Sequence, residues 1–261
     1  MTTPSSRRTG CIFSSRIIWL VGLALAAGAV ASAGDDLPKT LMTERGKIIY
    51  SEDFLRPLET SQDAAKSRGM KWWRPAIGRW NFTTNGLEGA QIKGEHSAIN
   101  ILHLPFQDAV IQFDAQVNGC NRCIFRINDF QAGRPRTSEH LCRVTLTKEG
   151  LVSQKDDHDH EGPDTAVRFG EIKRPFTPGQ WKTVLIEIRG DEMVVTMDGQ
   201  TVVGRHPLLA TPKDNIGFGV TGASALFRNL KIWEARPNKD WAGNKEALGG
   251  ALNRSSPPPT K

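Results

Sequence analysis

The chain has 261 residues, of which 38% are hydrophobic and 24% are charged, and its formal net charge is +6. This length fits one sizeable domain or two small ones. Three arginines, Arg7, Arg8 and Arg16, precede residue 34, and without them the net charge falls to +3. So small a charge, spread along the chain, argues against a nucleic-acid partner.

The N-terminal region has the pattern of an export signal. Its basic residues precede an apolar run, residues 17–30, and the small residues Ala31-Ser32-Ala33, which suit signal peptidase. The run of about 14 residues is short for a membrane-spanning helix, which needs roughly 20. We therefore predict a signal peptide at residues 1–33. The mature protein is then exported to the periplasm, cell surface or medium without membrane attachment; an uncleaved anchor is the alternative.

Short alternating segments between turn residues predict a β domain over residues 46–236. Residues 156–172 are polar and are predicted as a long loop. The predicted strands before that loop are residues 48–54, a strand on each side of the Asn85-Gly86 turn, and residues 98–103, 108–117, 123–127, 142–146 and 151–155.

The clearest strands follow the loop. Val184, Ile186 and Ile188 fall on one face of a strand because strand side chains alternate with a period of two. Glu187 falls on the opposite, polar face. Asp198-Gly199 lies between two β-branched runs, which indicates a tight hairpin. The predicted strands here are residues 181–189, 193–197, 200–203, 216–220 and 226–233.

Many short strands with almost no amphipathic helix predict the fold class. It is all-β, a two-sheet antiparallel jelly-roll β-sandwich. Residues 237–261 are rich in Gly, Ser and Pro and have little apolar surface to bury, so they are predicted as a flexible tail.

Turn and core motifs recur along the domain: Gly78-x-Trp80, Asn85-Gly86-Leu87, Pro178-Gly179-Gln180-Trp181, Asp198-Gly199, Ile216-Gly217-Phe218 and Phe227-Arg228-Asn229-Leu230. These motifs resemble those of the concanavalin A-like jelly rolls, and are most similar to the 3-keto-disaccharide hydrolase family. The resemblance runs from about residue 48 to residue 235. It implies a two-sheet jelly roll that acts on oxidised sugars outside the cytoplasm.

Polar residues of the central strands are the candidates for chemistry. The strand that would carry the acid triad of laminarinase-type glucanases has Gln112 and Gln116 in place of acids, so hydrolysis by that mechanism is not expected. His140 and Asp129 are the predicted catalytic residues, because an imidazole and a carboxylate can move protons. Arg126 and Arg143 are predicted to bind sugar hydroxyls or a carboxylate. The alternative is that these side chains simply face solvent.

Two adjacent tryptophans, Trp72 and Trp73, are predicted to bind substrate, since indole faces suit the apolar faces of pyranose rings. The competing interpretation places such aromatics in the core of the sandwich.

The densest polar segment predicts a divalent cation site, for Ca²⁺ or Zn²⁺. Asp157, His158, Asp159 and His160 are the predicted ligands, because carboxylate oxygens and imidazoles bind these ions. The alternative is a solvated polar loop, in which case no cofactor is bound.

Three cysteines follow the signal: Cys120, Cys123 and Cys142. In an exported protein the odd number predicts one disulfide, Cys123–Cys142 or Cys120–Cys142, and one spare thiol. A zinc site that adds His140, with His140 and Cys142 on one face of a strand, and three buried thiols are the alternatives.

The sequence therefore predicts an exported carbohydrate-processing domain that resembles 3-keto-disaccharide hydrolases and acts on glycosides in a concave-sheet site. A carbohydrate is the expected substrate or ligand. The alternatives are a non-catalytic, lectin-like carbohydrate-binding module and a structural protein for surface interactions.

Overall fold

The computed structural model describes residues 37–55, 59–60, 73–129, 140–157 and 165–255. The predicted signal peptide lies outside these residues. Within them, no helix has the length and apolar character needed to cross a membrane.

The described residues form fourteen strands, one 3-10 turn and one α-helix. The strands are β1 (Thr43–Glu52), β2 (Glu59–Thr60), β3 (Trp73–Ile77), β4 (Arg79–Thr83), β5 (Gly86–Ala90), β6 (Ala98–Phe106), β7 (Ala109–Asp129), β8 (His140–Thr147), β9 (Gly150–Lys155), β10 (Val167–Ile172), β11 (Trp181–Arg189), β12 (Glu192–Met197), β13 (Gln200–Arg205) and β14 (Lys213–Pro237). The 3-10 turn is Pro207–Ala210, and the helix α1 is Trp241–Ser255.

Two long strands, β7 and β14, pair with each other and run through both layers of the fold. In the first layer, their paired halves lie between β6 and β3 on one side and β8, β9 and β10 on the other. In the second layer, the other halves lie between β1, β5, β4 and β2 on one side and β11, β12 and β13 on the other. Gly119 and Gly222, with φ of 73° and 94°, lie where the register shifts between the two halves.

Aromatic stacking shows how sharply the two long strands turn. Phe113 and Phe125 both belong to β7, yet their rings stack with centroids 4.8 Å apart. Phe218 and Phe227 of β14 stack at 4.0 Å. Rings from opposite halves of one strand can meet only if the halves face each other across the core. This confirms the predicted two-sheet antiparallel jelly-roll sandwich.

The predicted strands after the loop are largely confirmed. Val184, Ile186 and Ile188 have no exposed surface.

Two pairs of predicted strands are each one continuous strand in the structure. Residues 108–117 and 123–127 both belong to β7, and residues 216–220 and 226–233 both belong to β14. Glycine bulges bend these strands without ending the pairing. The end of the predicted polar loop is strand β10, so the loop assignment was wrong there.

The segment before β1 and the predicted tail both make hydrogen bonds to strands of the domain. Glu187, placed by alternation on a polar face, is completely buried. Its carboxylate accepts hydrogen bonds from the backbone N–H groups of Leu41, Met42 and Thr43 over 2.7 to 2.8 Å, and so fixes the chain before β1. The predicted tail contains α1, whose first residue, Trp241, donates from Nε1 to the Glu192 carboxylate at 2.9 Å.

The predicted disulfides involving Cys142 are wrong. Cys120, Cys123 and Cys142 are all buried free thiols. Cys142 pairs in register with Ile127, four positions beyond Cys123. At about 3.3 Å per strand residue, the four residues from Cys123 to Ile127 span about 13 Å. This distance is far larger than the limit of roughly 7 Å between the Cα atoms of a disulfide.

Candidate functional site

The candidate site is a pocket of about 190 Å³ on the solvent-facing side of the first layer. One cross-strand row defines its centre: Ile101 on β6, Gly217 on β14, Arg126 on β7 and Arg143 on β8 are consecutive register partners. Strand alternation sends the neighbouring Phe125 into the core, so the rigid sandwich supports the pocket from below.

Two glycines form the floor of the pocket. Gly217 and Gly219 take alternate positions on β14, so this strand has no side chain on the pocket side here. Ile99 and Ile101 line one side, and Ile124 lines the other. The result is an apolar groove between two strands, which suits the face of a sugar ring.

A β-bulge in β8 brings His140 to the pocket. Cys142 pairs with Ile127, but the next pairing joins Asn128 to His140, so Leu141 is an extra residue. Both Leu141 and Cys142 therefore point into the core, with no exposed surface. Without the extra residue, alternation would turn His140 inward as well. The predicted zinc site with His140 and Cys142 on one face is wrong for this reason.

Hydrogen bonds fix the tautomer of His140. Nη1 of Arg126 lies 3.0 Å from His140 Nε2, and a guanidinium can only donate, so Nε2 is the acceptor. The proton of the neutral ring is then on Nδ1, which donates to Asn128 Oδ1 at 3.2 Å. Nδ2 of Asn128 donates in turn to Asn215 Oδ1 at 2.6 Å. The imidazole is thereby oriented from both sides.

Arginine side chains dominate the charge of the pocket. Arg122, Arg126 and Arg143 all line it. Burial lowers the pKa of the Arg126 guanidinium from its ordinary value, while the Asp156 carboxylate acts in the opposite direction. The positive charges of Arg143 and Arg122 lower this pKa further.

One acid, Asp156, lies behind the arginines. Oδ1 of Asp156 is 3.0 Å from Arg143 Nε and accepts a hydrogen bond from Gln154 Nε2 at 2.9 Å. Asp156 is only 3% exposed, so its carboxylate holds Arg143 in place and does not line the pocket.

The structure brings together three of the predicted site residues: His140, Arg126 and Arg143. The fourth residue predicted in these strands, Asp129, is buried at 3% exposure, pairs in register with Lys213 and lies outside the pocket lining.

Trp73 is a core residue, in line with the competing interpretation. It is 4% exposed, stacks on Phe218 with ring centroids 5.6 Å apart, and donates from Nε1 to the Tyr50 hydroxyl at 2.6 Å. Its face is not available to a sugar. The predicted partner, Trp72, lies outside the described residues.

The predicted cation site is mostly outside the described residues, because only Asp157 among its four predicted ligands lies within them. In the described part of the chain, no three His, Cys, Asp or Glu side chains are grouped so that they could hold a metal ion. His158, Asp159 and His160 lie outside that part of the chain.

Sequence reasoning missed Arg122, Asn215 and the two floor glycines as site residues. The spacing of some of these residues in the sequence does indicate a shared face. Arg122, Arg126 and Asn128 are spaced by even numbers on one strand, which places them on one face. The Gly-x-Gly spacing of residues 217 and 219 likewise marks one face of a strand without side chains.

Several solved structures are similar to this chain at low sequence identity. The carbohydrate-binding module CBM66 from Bacillus subtilis is 15% identical, with a TM-score of 0.49, and the match covers 62% of this chain and 95% of that chain. LamAcat from Zobellia galactanivorans is 11% identical, with a TM-score of 0.48 and coverage of 72% and 98%. A sialidase is 12% identical, with a TM-score of 0.50 and coverage of 84% and 22%. At such identities the likeness concerns the fold alone.

A family model gives the more specific match. No curated protein matches the sequence. The model of the 3-keto-alpha-glucoside-1,2-lyase-like domain matches residues 66–233, which is more than half of the chain. This confirms the resemblance found in the turn and core motifs and makes the protein a carbohydrate-related jelly-roll domain. The chain therefore belongs to the 3-keto-alpha-glucoside-1,2-lyase-like domain family.

Proposed function

We propose that this protein cleaves 3-keto-α-glucosides by elimination, with the pocket around Arg126 and His140 as its active site. The observation that carries the proposal is the hydrogen bond between these two side chains, which puts a neutral imidazole beside a cation. The family match supplies the substrate class.

Elimination suits the groups that line the pocket. A ketone at C3 makes the proton on C2 acidic, so a base can remove it and leave an enolate whose negative charge lies on the C3 oxygen. The enolate then re-forms the ketone, a double bond forms between C1 and C2, and the alkoxide leaves C1 and takes up a proton. Addition of water across that double bond would complete a net hydrolysis. The reaction needs one base and one stabilising cation, and no pair of carboxylates.

His140 and Arg126 take these two roles. In the structure, Arg126 occupies the lone pair of His140 Nε2. When the guanidinium turns to the C3 oxygen of the substrate, that lone pair becomes available for the proton on C2. Asn128 keeps the Nδ1 proton in place, so Nε2 stays the basic atom. The glycine floor lets the sugar ring lie against Ile99 and Ile124.

The test is turnover of methyl 3-keto-α-glucoside by the purified protein, followed through the ultraviolet absorbance of the enone product. The variant His140→Gln keeps an acceptor for Arg126 but removes the base, so we expect kcat/KM to fall by about 10²- to 10⁴-fold. His103→Gln is the matched control, because this exposed histidine on the same layer lies outside the pocket lining. Equal turnover by His140→Gln and the wild type would contradict the assignment.

A binding module without catalysis is the second candidate, favoured by the lack of any carboxylate among the described residues that line the pocket. Retention of the keto-glucoside without enone formation or release of methanol would support it.

We also propose that the protein works outside the cytoplasm after cleavage behind Ala33, on the basis of the N-terminal signal pattern. Mass spectrometry of the protein recovered from its native host is the test. A chain that begins at Gly34 would support export, and a chain that retains residues 1–33 would contradict cleavage.

A further inference from the structure

We infer that the saccharide recognised here carries an oxyanion, either a carboxylate or a sulfate ester, which the arginines of the pocket bind. This inference rests on the proposed function only in placing the saccharide in this pocket. It goes further by giving the class of substrate, an anionic glycoside.

The balance of charge in the pocket is the first argument. The described residues that line it include Arg122, Arg126 and Arg143 but no Asp or Glu. The carboxylate of Asp156 balances one guanidinium from behind, through its contact with Arg143. Among the described residues, an excess of two positive charges remains in a cleft of about 190 Å³, although the chain without its first 33 residues has an excess of only three.

The positions of the three arginines are the second argument. Arg126 and Arg143 are register partners on adjacent strands, so their Cβ atoms are about 5 Å apart. Arg122 lies four residues before Arg126 on the same face of β7, and its Nε donates to Thr221 Oγ1 at 3.2 Å. The charges of Arg122 and Arg143 both act on Arg126. Like charges held this close repel one another, and a bound oxyanion offsets that repulsion.

The unused hydrogen-bonding capacity of Arg126 is the third argument. Its Nη1 donates to His140, but its buried Nε has no hydrogen-bond partner. A buried donor without a partner is unfavourable, so an acceptor supplied by a ligand stabilises the complex. The planar guanidinium matches the oxygens of carboxylate and sulfate groups better than a neutral hydroxyl does.

The experiment compares three non-oxidised ligands that cannot undergo the elimination: methyl α-glucoside, methyl α-glucuronide and methyl α-glucoside 6-sulfate. Isothermal titration of the purified protein gives each Kd at low and high salt. We expect at least one anionic ligand to bind about tenfold or more tightly than the neutral one, and the advantage to shrink with added salt. The tighter of the two anionic ligands identifies the oxyanion as carboxylate or sulfate.

The variant Arg122→Gln tests whether the preference for anionic ligands arises in this pocket. Arg122 is exposed and its loss leaves the Arg143–Asp156 contact intact, so the fold should be retained. We expect the preference for the anionic ligand to fall to about threefold or less, whereas Arg189→Gln, at the exposed end of β11 and outside the pocket, should keep it.

Two outcomes would overturn the inference: equal or undetectable binding of all three ligands, and an anion preference that survives when both Arg122 and Arg126 are replaced by Gln. Because these ligands do not react, the result is separate from turnover. Enone formation from a neutral keto-glucoside with no anion preference would leave the proposed function standing and remove only this inference.

Discussion

Nη1 of Arg126 donates a hydrogen bond to Nε2 of His140 across two neighbouring strands, over 3.0 Å. The contact exists because the bulge at Leu141 turns His140 toward the pocket, where β7 presents Arg126. It joins the proposed base to the proposed stabilising cation in one unit.

Arg126→Gln is expected to lower kcat for the keto-glucoside by about 10²- to 10³-fold with a much smaller change in KM. The amide can still donate to His140, but it brings no charge to the developing enolate oxygen. Steady-state kinetics measures both constants, with Arg189→Gln as the matched control. A rise in KM at unchanged kcat would instead assign Arg126 to substrate binding only.

Gly219→Val is expected to fill the floor of the pocket while the protein remains folded. A Cβ at this position would lie 3.6 Å or more from the nearest atoms, and the backbone is in a region open to any residue. We expect the free energy of unfolding to change by no more than about 1 kcal/mol. Binding of the keto-glucoside should weaken at least tenfold because the sugar loses its space.

Gly89→Ala is the contrasting control for that prediction. Its Cβ would lie 2.5 Å from the Trp80 ring, so the core would have to shift and the protein should be less stable. Urea unfolding and titration with the keto-glucoside measure the two effects separately. Unchanged affinity in Gly219→Val would show that the sugar does not lie over this strand.

Glu187→Gln is expected to destabilise the domain by about 2 to 4 kcal/mol. The buried carboxylate accepts hydrogen bonds from three successive backbone N–H groups and from Thr43 Oγ1, and an amide can accept with only one of its two polar atoms. Urea unfolding measures the change, and Glu149→Gln, on the exposed turn after β8, is the control. A change as small as that of the control would show that these hydrogen bonds to Glu187 do not stabilise the domain.

Cys120 is expected to react with iodoacetamide before the other two buried thiols. A hydrogen bond with the Cys123 thiol lowers the pKa of Cys120, while the same bond, together with burial, raises the pKa of Cys123. Burial also raises the pKa of Cys142. Cys120 also has 5% of its surface exposed, whereas the other two have none.

The pH dependence of the labelling follows from the directions of these pKa shifts. Because the thiolate is the reactive form, the rate at Cys120 should rise through a midpoint below the ordinary value of about 8.5. Peptide mass spectrometry after brief labelling from pH 6 to pH 10 gives the rate for each cysteine. Faster labelling of Cys142 would contradict this order.

The sequence predicts the sandwich well because the core depends on a local property. Side-chain alternation in β11 assigns Val184, Ile186 and Ile188 correctly, and each strand can be recognised without knowledge of its partners. Strand β10 escapes recognition because five of its six residues are at least partly exposed, and a register shift between Arg168 and Gly170 breaks the alternation of its apolar residues. The merging of strand pairs into β7 and β14 depends on glycine bulges that bend a strand, and such glycines look like turns in sequence.

The site is predicted less completely because it depends on register and on one extra residue. Arg126 and Arg143 meet only because β7 and β8 pair with these residues opposite each other. His140 reaches them only through the bulge at Leu141, and strict alternation would place its side chain in the core. Trp73 differs from its prediction in the opposite direction: a residue predicted for the sugar site packs in the core.

The most direct test of the account is a crystal structure of the His140→Gln variant with methyl 3-keto-α-glucoside. We predict the sugar ring over Gly217 and Gly219, with its C3 oxygen within hydrogen-bond distance of the Arg126 guanidinium and its C2 next to residue 140. A sugar bound elsewhere on the domain, or in this pocket with its C3 oxygen turned away from Arg126, would contradict the proposed active site.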